Sequence, residues 1–202
     1  MSTGFSQGAP APSLPALLRR VRACTLCAPN LPLGPRPVLQ AHETSRILIA
    51  GQAPGRKVHA SGVPFDDASG ERLRSWLGVS RDTFYDPQCC AILPMGFCYP
   101  GTGRSGDLPP RPECAPTWRA ALLAAMPQVQ LTLVIGQYAM AYHLPQHSGA
   151  LTGAVQAWHS FGPGLMPLPH PSPRNNGWLK RNPWFAAELL PALQARVAAV
   201  LA

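Results

Sequence analysis

The sequence predicts an α/β domain built around a mainly parallel sheet of four strands. Short, continuous apolar runs recur along the chain, each followed by Gly or Pro, as expected for strands buried on both faces. Segments with helical spacing lie between these runs, and alternating strands and helices are typical of a parallel sheet. The 202 residues are 46% hydrophobic and 13% charged. This composition supplies a core and excludes a disordered chain.

The predicted strands are the apolar runs, and the predicted helices are the periodic segments between and around them. The strands are Arg46–Ala50, Cys90–Leu93, Leu131–Ile135 and Gly164–Leu168. The helices are Leu14–Ala23, Gly70–Leu77, Pro112–Ala125, Gln137–His143 and Trp184–Leu201. Residues 13–202 are expected to form a single domain after a flexible tail at residues 1–12. Ligands of such sheets bind beyond the carboxyl ends of the strands, which directs attention to the segments that follow them.

Charge and cysteine content narrow the class of protein. Lys and Arg number 17 against 9 Asp and Glu, a net charge of +8, which favours a polyanionic partner such as nucleic acid. No apolar run approaches the roughly 18 residues of a membrane span, and no secretory signal is recognisable at the start. We therefore expect a cytoplasmic monomer with no membrane association. In that compartment the 6 cysteines suit metal ligands, catalysts or core positions better than disulfides.

The first segment with chemical character follows the first predicted strand. It reads Gly51-Gln52-Ala53-Pro54-Gly55. Two glycines and a proline in five residues predict a tight turn whose backbone a ligand can approach. The segment matches neither a P-loop nor a dinucleotide-binding fingerprint. A plain connecting turn remains the alternative.

The second segment follows the last predicted strand and begins at His170. Its sequence is HPSPRNNG, in which Pro171 and Pro173 stiffen the backbone on both sides of Ser172. Basic residues follow, interleaved with the aromatic side chains of Trp178 and Trp184: they are Arg174, Lys180 and Arg181. Basic residues among aromatic ones suit contacts to a phosphate backbone together with base stacking. A histidine inside such a rigid basic loop is a candidate site residue.

The third feature is a set of four cysteines. Cys24 and Cys27 form a CxxC, whereas Cys98 and Cys114 flank a gap rich in Pro and Gly. Four thiolates of this kind can hold zinc or an iron–sulfur cluster. The remaining pair, Cys89 and Cys90, is interpreted as small apolar residues at the start of a core strand.

Together these three features resemble the uracil-DNA glycosylase superfamily, most closely its iron–sulfur (family 4) branch. The stretch GQAPGRKVHASGVPFDDASGERLRSWLG is similar to the first motif of that branch, and HPS at 170–172 is similar to the second. Cys24, Cys27, Cys98 and Cys114 match the four cluster ligands. The resemblance implies a three-layer α/β/α sandwich, a 4Fe-4S cluster with structural zinc as the alternative, and damaged DNA as the partner. It also implies hydrolysis of the N-glycosidic bond of uracil or another damaged base in base excision repair, after base flipping.

The resemblance also implies roles for individual residues. His170 would stabilise the departing base anion, and Gly51, Ala53, Pro54 and Gly55 would bind the base through their backbone. Phe65 would stack on the base. Other contacts to substrate or DNA would come from the second motif and from exposed basic residues: Ser172, Asn175, Arg56, Lys57, Pro173, Arg174, Lys180 and Arg181. The cluster would pin the loop between Cys98 and Cys114, leaving Arg104 and Arg111 for phosphates.

Two positions depart from the pattern of the branch. Gln52 stands where the branch has Glu, and Ala53 where other uracil-removing enzymes have a water-activating Asp. Gln52 can orient water but cannot take its proton. Either a dissociative reaction proceeds with this weak activation, or His59, Asp66 or Asp67 supplies the missing function. Pro94 stands where the branch has the Asn that reads uracil, which predicts weaker discrimination between bases. These departures keep two alternatives open, a DNA-binding protein without turnover and a zinc-stabilised nucleotide hydrolase.

Overall fold

The computed structural model describes residues 12–104, 106–147 and 149–202. Four strands form the central sheet: β1 (Ile47–Ala50), β2 (Cys90–Ile92), β5 (Leu131–Ile135) and β6 (Leu165–Leu168). Their order is β2-β1-β5-β6, and every neighbouring pair is parallel. Two shorter strands, β3 (Thr102–Gly103) and β4 (Gly106–Asp107), form a separate antiparallel hairpin. The predicted tail at residues 1–12 lies outside the described residues except for Pro12.

Helices connect and flank the strands of the sheet. They are α1 (Leu14–Arg22), α2 (Arg56–Ser61), α3 (Ala68–Leu77), α4 (Arg81–Tyr85), α5 (Cys114–Ala124), α6 (Gly136–His143), α7 (Leu151–Gln156), α8 (Asn176–Arg181) and α9 (Leu190–Leu201). A π-helical turn, Phe185–Leu189, leads directly into α9. Pro191 has no N–H to donate to the carbonyl four residues earlier. The wider π-helical turn before it accommodates this missing hydrogen bond.

The alternation of side chains along the buried strands places them in separate hydrophobic clusters on the two faces of the sheet. Ile47 and Ile49 pack into the cluster that also contains side chains of α3 and α9. Leu48 points to the opposite face, where it packs with side chains of α1 and α5. Helices therefore cover both faces of the sheet, and the predicted α/β/α sandwich around a four-stranded parallel sheet is confirmed.

The strand order positions the candidate site. From β1 the chain first forms β2 on one side and later β5 on the other, so the connections diverge at β1. In open parallel sheets a crevice forms at such a point, beyond the carboxyl ends of the strands. Gly51–Gly55 follows β1 at this edge, Pro94 follows β2, and His170 follows β6.

Several elements are absent from the sequence prediction. They are the short helices α2, α4, α7 and α8 and the hairpin β3–β4. The segment around His59 was expected to be a loop, but it forms α2, in which Val58 is the buried residue. A six-residue helix with one buried side chain has too little apolar periodicity to be recognised in sequence.

Among the described residues, no single helix is long and apolar enough to cross a membrane. Residues 173–181 and 185–201 meet these criteria only when taken together, as a pair bent by 95°.

Candidate active site and cysteine cavity

A cleft of about 610 Å³ lies at the carboxyl edge of the sheet. It brings together segments that are far apart in sequence: the bend after β1, the start of α2, Phe65, the hairpin and the segment after β6. The predicted site residues that line it are Gly51, Gln52, Ala53, Pro54, Gly55, Arg56, Lys57, Phe65, His170, Ser172, Pro173, Arg174 and Asn175. The imidazole of His170 and the glycine-proline bend therefore share one cavity.

The bend after β1 is tied to the segment after β2. The carbonyl of Gly51 accepts a hydrogen bond from the N–H of Met95 (2.8 Å), and that of Gln52 accepts one from Gly96 (3.0 Å). These contacts continue the pairing of β1 and β2 past the ends of both strands. The bend therefore has a fixed backbone, as a site that recognises a ligand through backbone groups requires.

Phe65 forms part of the cleft wall in a strained conformation. Its φ of 54° lies in the left-handed region, which costs a non-glycine residue about 1–2 kcal/mol. The turn packs closely against Gly70, where a Cβ would lie only 1.8 Å from the carbonyl oxygen of Phe65. The Tyr85 hydroxyl donates a hydrogen bond to the same oxygen. The ring reaches over Gly51, 3.6 Å from the position a Cβ would take. Its placement beside the bend suits a ring that a base stacks on.

His170 is oriented by its own loop. The N–H of Ser172 donates to Nδ1 of His170 (3.2 Å), and the side-chain amide of Asn175 donates to the His170 carbonyl (2.7 Å). Because Nδ1 accepts, the proton of the neutral ring lies on Nε2, which becomes a donor. Burial lowers the pKa of His170 below its usual range, against opposing effects of the Asp67 and Asp107 carboxylates. The ring is therefore neutral at pH 7.

The segment after His170 is held from two sides. Arg72 of α3 donates to the carbonyl of Ser172 (3.1 Å), and the Ser172 hydroxyl accepts from the N–H of Arg174 (3.2 Å). The guanidinium of Arg174 lies against Gly106 of the hairpin, 2.9 Å from the position of a Cβ there. The second motif and the hairpin therefore meet at the rim of the cleft.

Two acidic residues also line the cleft. Asp67 caps α3, since its Oδ1 accepts a hydrogen bond from the N–H of Gly70 (2.9 Å). Asp107 comes from the hairpin, and its Oδ2 lies 3.4 Å from the position that a Cβ on Gly55 would occupy. Sequence analysis missed Asp107 entirely. The one available signal was an acidic residue in the Pro- and Gly-rich gap between Cys98 and Cys114.

The model of the Uracil DNA glycosylase superfamily matches residues 39–194 of this chain. That range covers well over half of the chain and contains both motifs. The chain belongs to the uracil DNA glycosylase superfamily. The matched range includes Cys98 and Cys114 but begins after Cys24 and Cys27.

Among the residues predicted to bind DNA or to take part in catalysis, His59, Lys180 and Arg181 lie outside the cleft of this superfamily member. His59 lies on α2 with its ring 6.1 Å from that of Tyr99, and burial followed by the charge of Arg36 lowers the pKa of His59. We therefore expect no role for His59 in activating water. Lys180 and Arg181 are exposed on α8, beyond the cleft.

Trp178 and Trp184, expected to stack on bases, instead pack edge-on against Phe185 of the main core. Asp66, another candidate for activating water, pairs with Arg81 at 3.2 Å on the protein surface. Trp178 and Trp184 thus contribute to packing, and Asp66 lies at the surface; none of the three lines the cleft.

Pro94 lines the cleft and is supported from behind by a buried arginine. Arg119 of α5 is 0% exposed, and it donates to the carbonyls of Leu93 (2.9 Å) and Pro94 (3.2 Å). Its other terminal nitrogen lies 2.7 Å from Nε2 of His143. Burial lowers the pKa of Arg119 to about 10, and burial together with the Arg119 charge lowers that of His143 to about 4. The backbone at the end of β2 is thus fixed by an arginine that sequence analysis did not single out.

The second cavity contains the four predicted cysteine ligands. Cys24, Cys27, Cys98 and Cys114 line it together, among mostly apolar side chains such as Val21, Leu31, Phe97 and Trp118. The N–H of Phe97 donates to Sγ of Cys114 (3.4 Å). Burial raises the pKa of Cys98 to about 11 and that of Cys114 to about 12. Cys89 and Cys90 lie elsewhere: Cys90 is fully buried, and Cys89 contacts Asp86.

The four cysteines line one cavity, but their arrangement is not that of a formed metal site. Across residues 12–104, 106–147 and 149–202, no three or more His, Cys, Asp or Glu side chains are grouped so that they could hold a metal ion.

Proposed function

We propose that this protein is a DNA glycosylase, which hydrolyses the N-glycosidic bond of uracil or another deaminated or damaged base in DNA. Membership of the superfamily supports a glycosylase-like activity in general. The observation that carries the specific proposal is the shared cleft of His170 and the Gly51–Gly55 bend. A neutral imidazole with Nε2 as its donor and a rigid backbone bend provide the two halves of a site for an anionic leaving group.

The chemistry follows from the charge that develops as the bond breaks. The sugar becomes oxocarbenium-like, and the base departs with the bonding electron pair as an anion. Donors fixed toward the base oxygen stabilise this charge without having to reorganise during the reaction. His170 donates through Nε2 because Nδ1 is occupied by the Ser172 N–H. The bend adds backbone dipoles that its contacts to Met95 and Gly96 hold in place.

The cleft also suits a nucleotide that has been turned out of the stack. The bond cannot be reached inside a duplex, so the base must enter the protein. The strained Phe65 ring beside Gly51 offers a stacking surface worth about 1–3 kcal/mol per base. Arg56, Lys57 and Arg174 at the cleft supply positive charge for the phosphates next to the lesion.

At position 94, where the iron–sulfur branch has an Asn, the cleft offers no side-chain hydrogen bond to the base. Val38, Ile92 and Pro94 contribute apolar surface to it, and Pro94 replaces the uracil-reading Asn of the iron–sulfur branch. The amide nitrogen of Asn175 already donates to the His170 carbonyl. Sites without paired hydrogen bonds discriminate weakly between related bases. We therefore expect several deaminated or damaged bases to be accepted.

We further propose that Cys24, Cys27, Cys98 and Cys114 hold a 4Fe-4S cluster, as in the branch that the sequence resembles. The proposal is supported by their common cavity and by the backbone N–H of Phe97, which donates to the sulfur of Cys114 and favours its thiolate form. When bound, such a cluster would cross-link the loop between Cys98 and Cys114 to the segment after α1. Visible absorbance of protein purified without oxygen separates a cluster from colourless zinc.

The deciding experiment is a panel of single- and double-stranded oligonucleotides that carry uracil, hypoxanthine, xanthine or oxidised pyrimidines, scored for abasic sites. Excision of at least one base by the wild type, and its loss in His170→Ala with DNA affinity retained, would support the proposal. DNA binding without excision of any base would favour the alternative of a non-catalytic DNA-binding protein.

A further inference from the structure

We propose that Asp107, on the hairpin β3–β4, activates the water that attacks the sugar. This inference rests on the proposed glycosylase function. The first motif provides no carboxylate, since its second and third positions are Gln52 and Ala53. The hairpin, which belongs to neither motif, brings a carboxylate to the same wall of the cleft.

The position of Asp107 is defined by the bend itself. Its Oδ2 lies 3.4 Å from the point where a Cβ on Gly55 would stand. The carboxylate therefore packs beside the backbone of the bend, and both residues line the cleft with His170. A sugar whose base lies between the bend and His170 would have this carboxylate at its side. The negative charge there also stabilises an oxocarbenium-like sugar.

The carboxylate is held by a chain of hydroxyl groups. Its Oδ1 accepts from the Thr102 hydroxyl (3.2 Å), which in turn contacts the hydroxyl of Tyr99. Oδ2 is the oxygen that lies toward Gly55. Asp107 is exposed; one of its carboxylate oxygens is thus held by Thr102, and the other lies beside the bend that lines the cleft.

Gln52 positions the hairpin rather than the water. Its Nε2 donates to the backbone carbonyls of Asp107 (3.3 Å) and Leu108 (2.8 Å). A glutamate cannot donate these hydrogen bonds, and its charge would face two carbonyl oxygens. Gln52 is therefore a positioning residue. In this chain the carboxylate stands on the hairpin and not at position 52, where the branch has Glu.

The other acidic residue of the cleft, Asp67, also uses one carboxylate oxygen in a structural contact, so it is tested beside Asp107. Oδ1 of Asp67 caps α3 through the N–H of Gly70, at the turn that also fixes Phe65. Asn caps helices as well as Asp does. Asp67→Asn therefore keeps the fold while removing the charge, and it tests Asp67 directly against Asp107.

The proposed step is a hydrolysis in which water is the only reactant besides the DNA. The C1′–N bond breaks, and its electron pair leaves with the base. The water oxygen forms the new bond to C1′, and one water proton passes to the Asp107 carboxylate. That proton then reaches the departed base anion or solvent. The products are the free base and an abasic sugar.

The test is single-turnover excision with enzyme in excess, on the oligonucleotide that the wild type processes fastest. We expect Asp107→Asn to lower the rate constant by about 10²-fold or more, as for loss of a general base, while DNA affinity holds or tightens because a negative charge is removed. Asp82→Asn, an exposed carboxylate on α4, is the matched control and keeps the wild-type rate. Asp67→Asn removes the other carboxylate of the cleft and is expected to slow excision less than Asp107→Asn does; a larger loss in Asp67→Asn would overturn the inference.

Two further measurements separate catalysis from structure. Formate should restore excision by Asp107→Ala about fivefold or more, because it supplies a carboxylate in the vacated space, and it should not restore His170→Ala. Gln52→Glu, although it carries the glutamate of the branch, should be slower than the wild type because it releases the hairpin. A Gln52→Glu variant faster than the wild type would overturn the inference.

Three other outcomes would contradict the inference or the proposed function on which it rests. Equal rates for Asp107→Asn and Asp82→Asn in an active protein would exclude Asp107 and leave the glycosylase proposal standing. Parallel loss of affinity and rate with no response to formate would assign Asp107 a structural role and also overturn the inference. A wild type inactive on the whole panel would overturn the proposed function, and Asp107 with it.

Discussion

The cleft and the cysteine cavity differ in the chemistry of the side chains that line them. The cleft combines a neutral imidazole, basic side chains and two carboxylates around backbone groups. In the cysteine cavity, four thiols are set among apolar side chains, and burial raises the pKa of Cys114 to about 12. A polar cleft suits a ligand that enters, reacts and leaves, whereas partly buried thiols among apolar side chains suit a group that is held permanently. The proposed reaction and the proposed cross-link are thus separated in space.

The two regions are nevertheless joined by the same piece of chain. The loop between Cys98 and Cys114 supplies thiols to the cavity at its ends and Asp107 to the cleft in its middle. Helix α5 begins at Cys114 and carries Arg119, which holds the carbonyls of Leu93 and Pro94 at the cleft. Loss of the cysteine site should therefore disturb the cleft, while changes in the cleft should leave the cysteine site intact.

The largest effect is expected from a change in the cleft, which should leave the cysteine site intact. His170→Ala removes the donor to the base and should lower the single-turnover excision rate by about 10²–10³-fold. Iron content and visible absorbance should match the wild type, because His170 does not contact the cysteine cavity. A variant that loses colour together with activity would show that the two regions are not separable in this direction.

Removal of a cysteine ligand tests the asymmetry from the other side. Cys98→Ser should abolish visible absorbance and lower Tm by about 10 °C, since a structural metal site contributes directly to folding. Excision should also fall, because the loop that carries Asp107 loses its anchor. Cys89→Ser is the control, since Cys89 is outside the cavity. A colourless Cys98→Ser protein with wild-type Tm would contradict a supporting role for the cysteine site.

A smaller effect comes from the buried pair behind the cleft. The pKa of His143 is lowered to about 4 by burial and by Arg119, against about 6.5 in the unfolded chain. Between pH 6.5 and pH 4 the unfolded state therefore binds more protons at His143 than the folded state does. Protonation then favours unfolding, so stability is lost as pH falls from about 6.5 toward 4. Allowing for partial exposure, the free energy of unfolding should fall by about 1–2 kcal/mol.

The control for this pH dependence is His143→Gln, which keeps an acceptor for Arg119 but does not titrate. Urea unfolding at pH 7 and at pH 4.5 should show a smaller loss of stability in His143→Gln than in the wild type. Equal losses in both proteins would assign the acid sensitivity to other groups.

The smallest effect concerns the charges that surround the two regions. Arg174→Gln at the cleft should reduce the dependence of log K on log salt for a single-stranded oligonucleotide by about 0.7, as for one phosphate contact. Arg22→Gln, exposed on α1 near the cysteines, should leave the slope unchanged. An equal change in both variants would indicate that DNA follows the whole basic surface rather than the cleft.

The sequence by itself determined the parallel sheet, both motifs and the composition of the cysteine set. These features are local, since a buried strand is a short apolar run, and the residue after it is carried to the ligand-binding edge by parallel topology. The predicted strand Leu131–Ile135 has the same bounds in the structure, and His170 and Gly51–Gly55 follow their strands into one cleft.

Only the tertiary structure decided which polar side chains share that cleft. His59 lies four residues past the bend, yet the helical turn of α2 directs it to Tyr99. Asp107 is 55 residues from Gln52 in sequence, yet a side-chain hydrogen bond joins them. Contacts of this kind depend on the packing of distant segments, which no local pattern of residue types specifies.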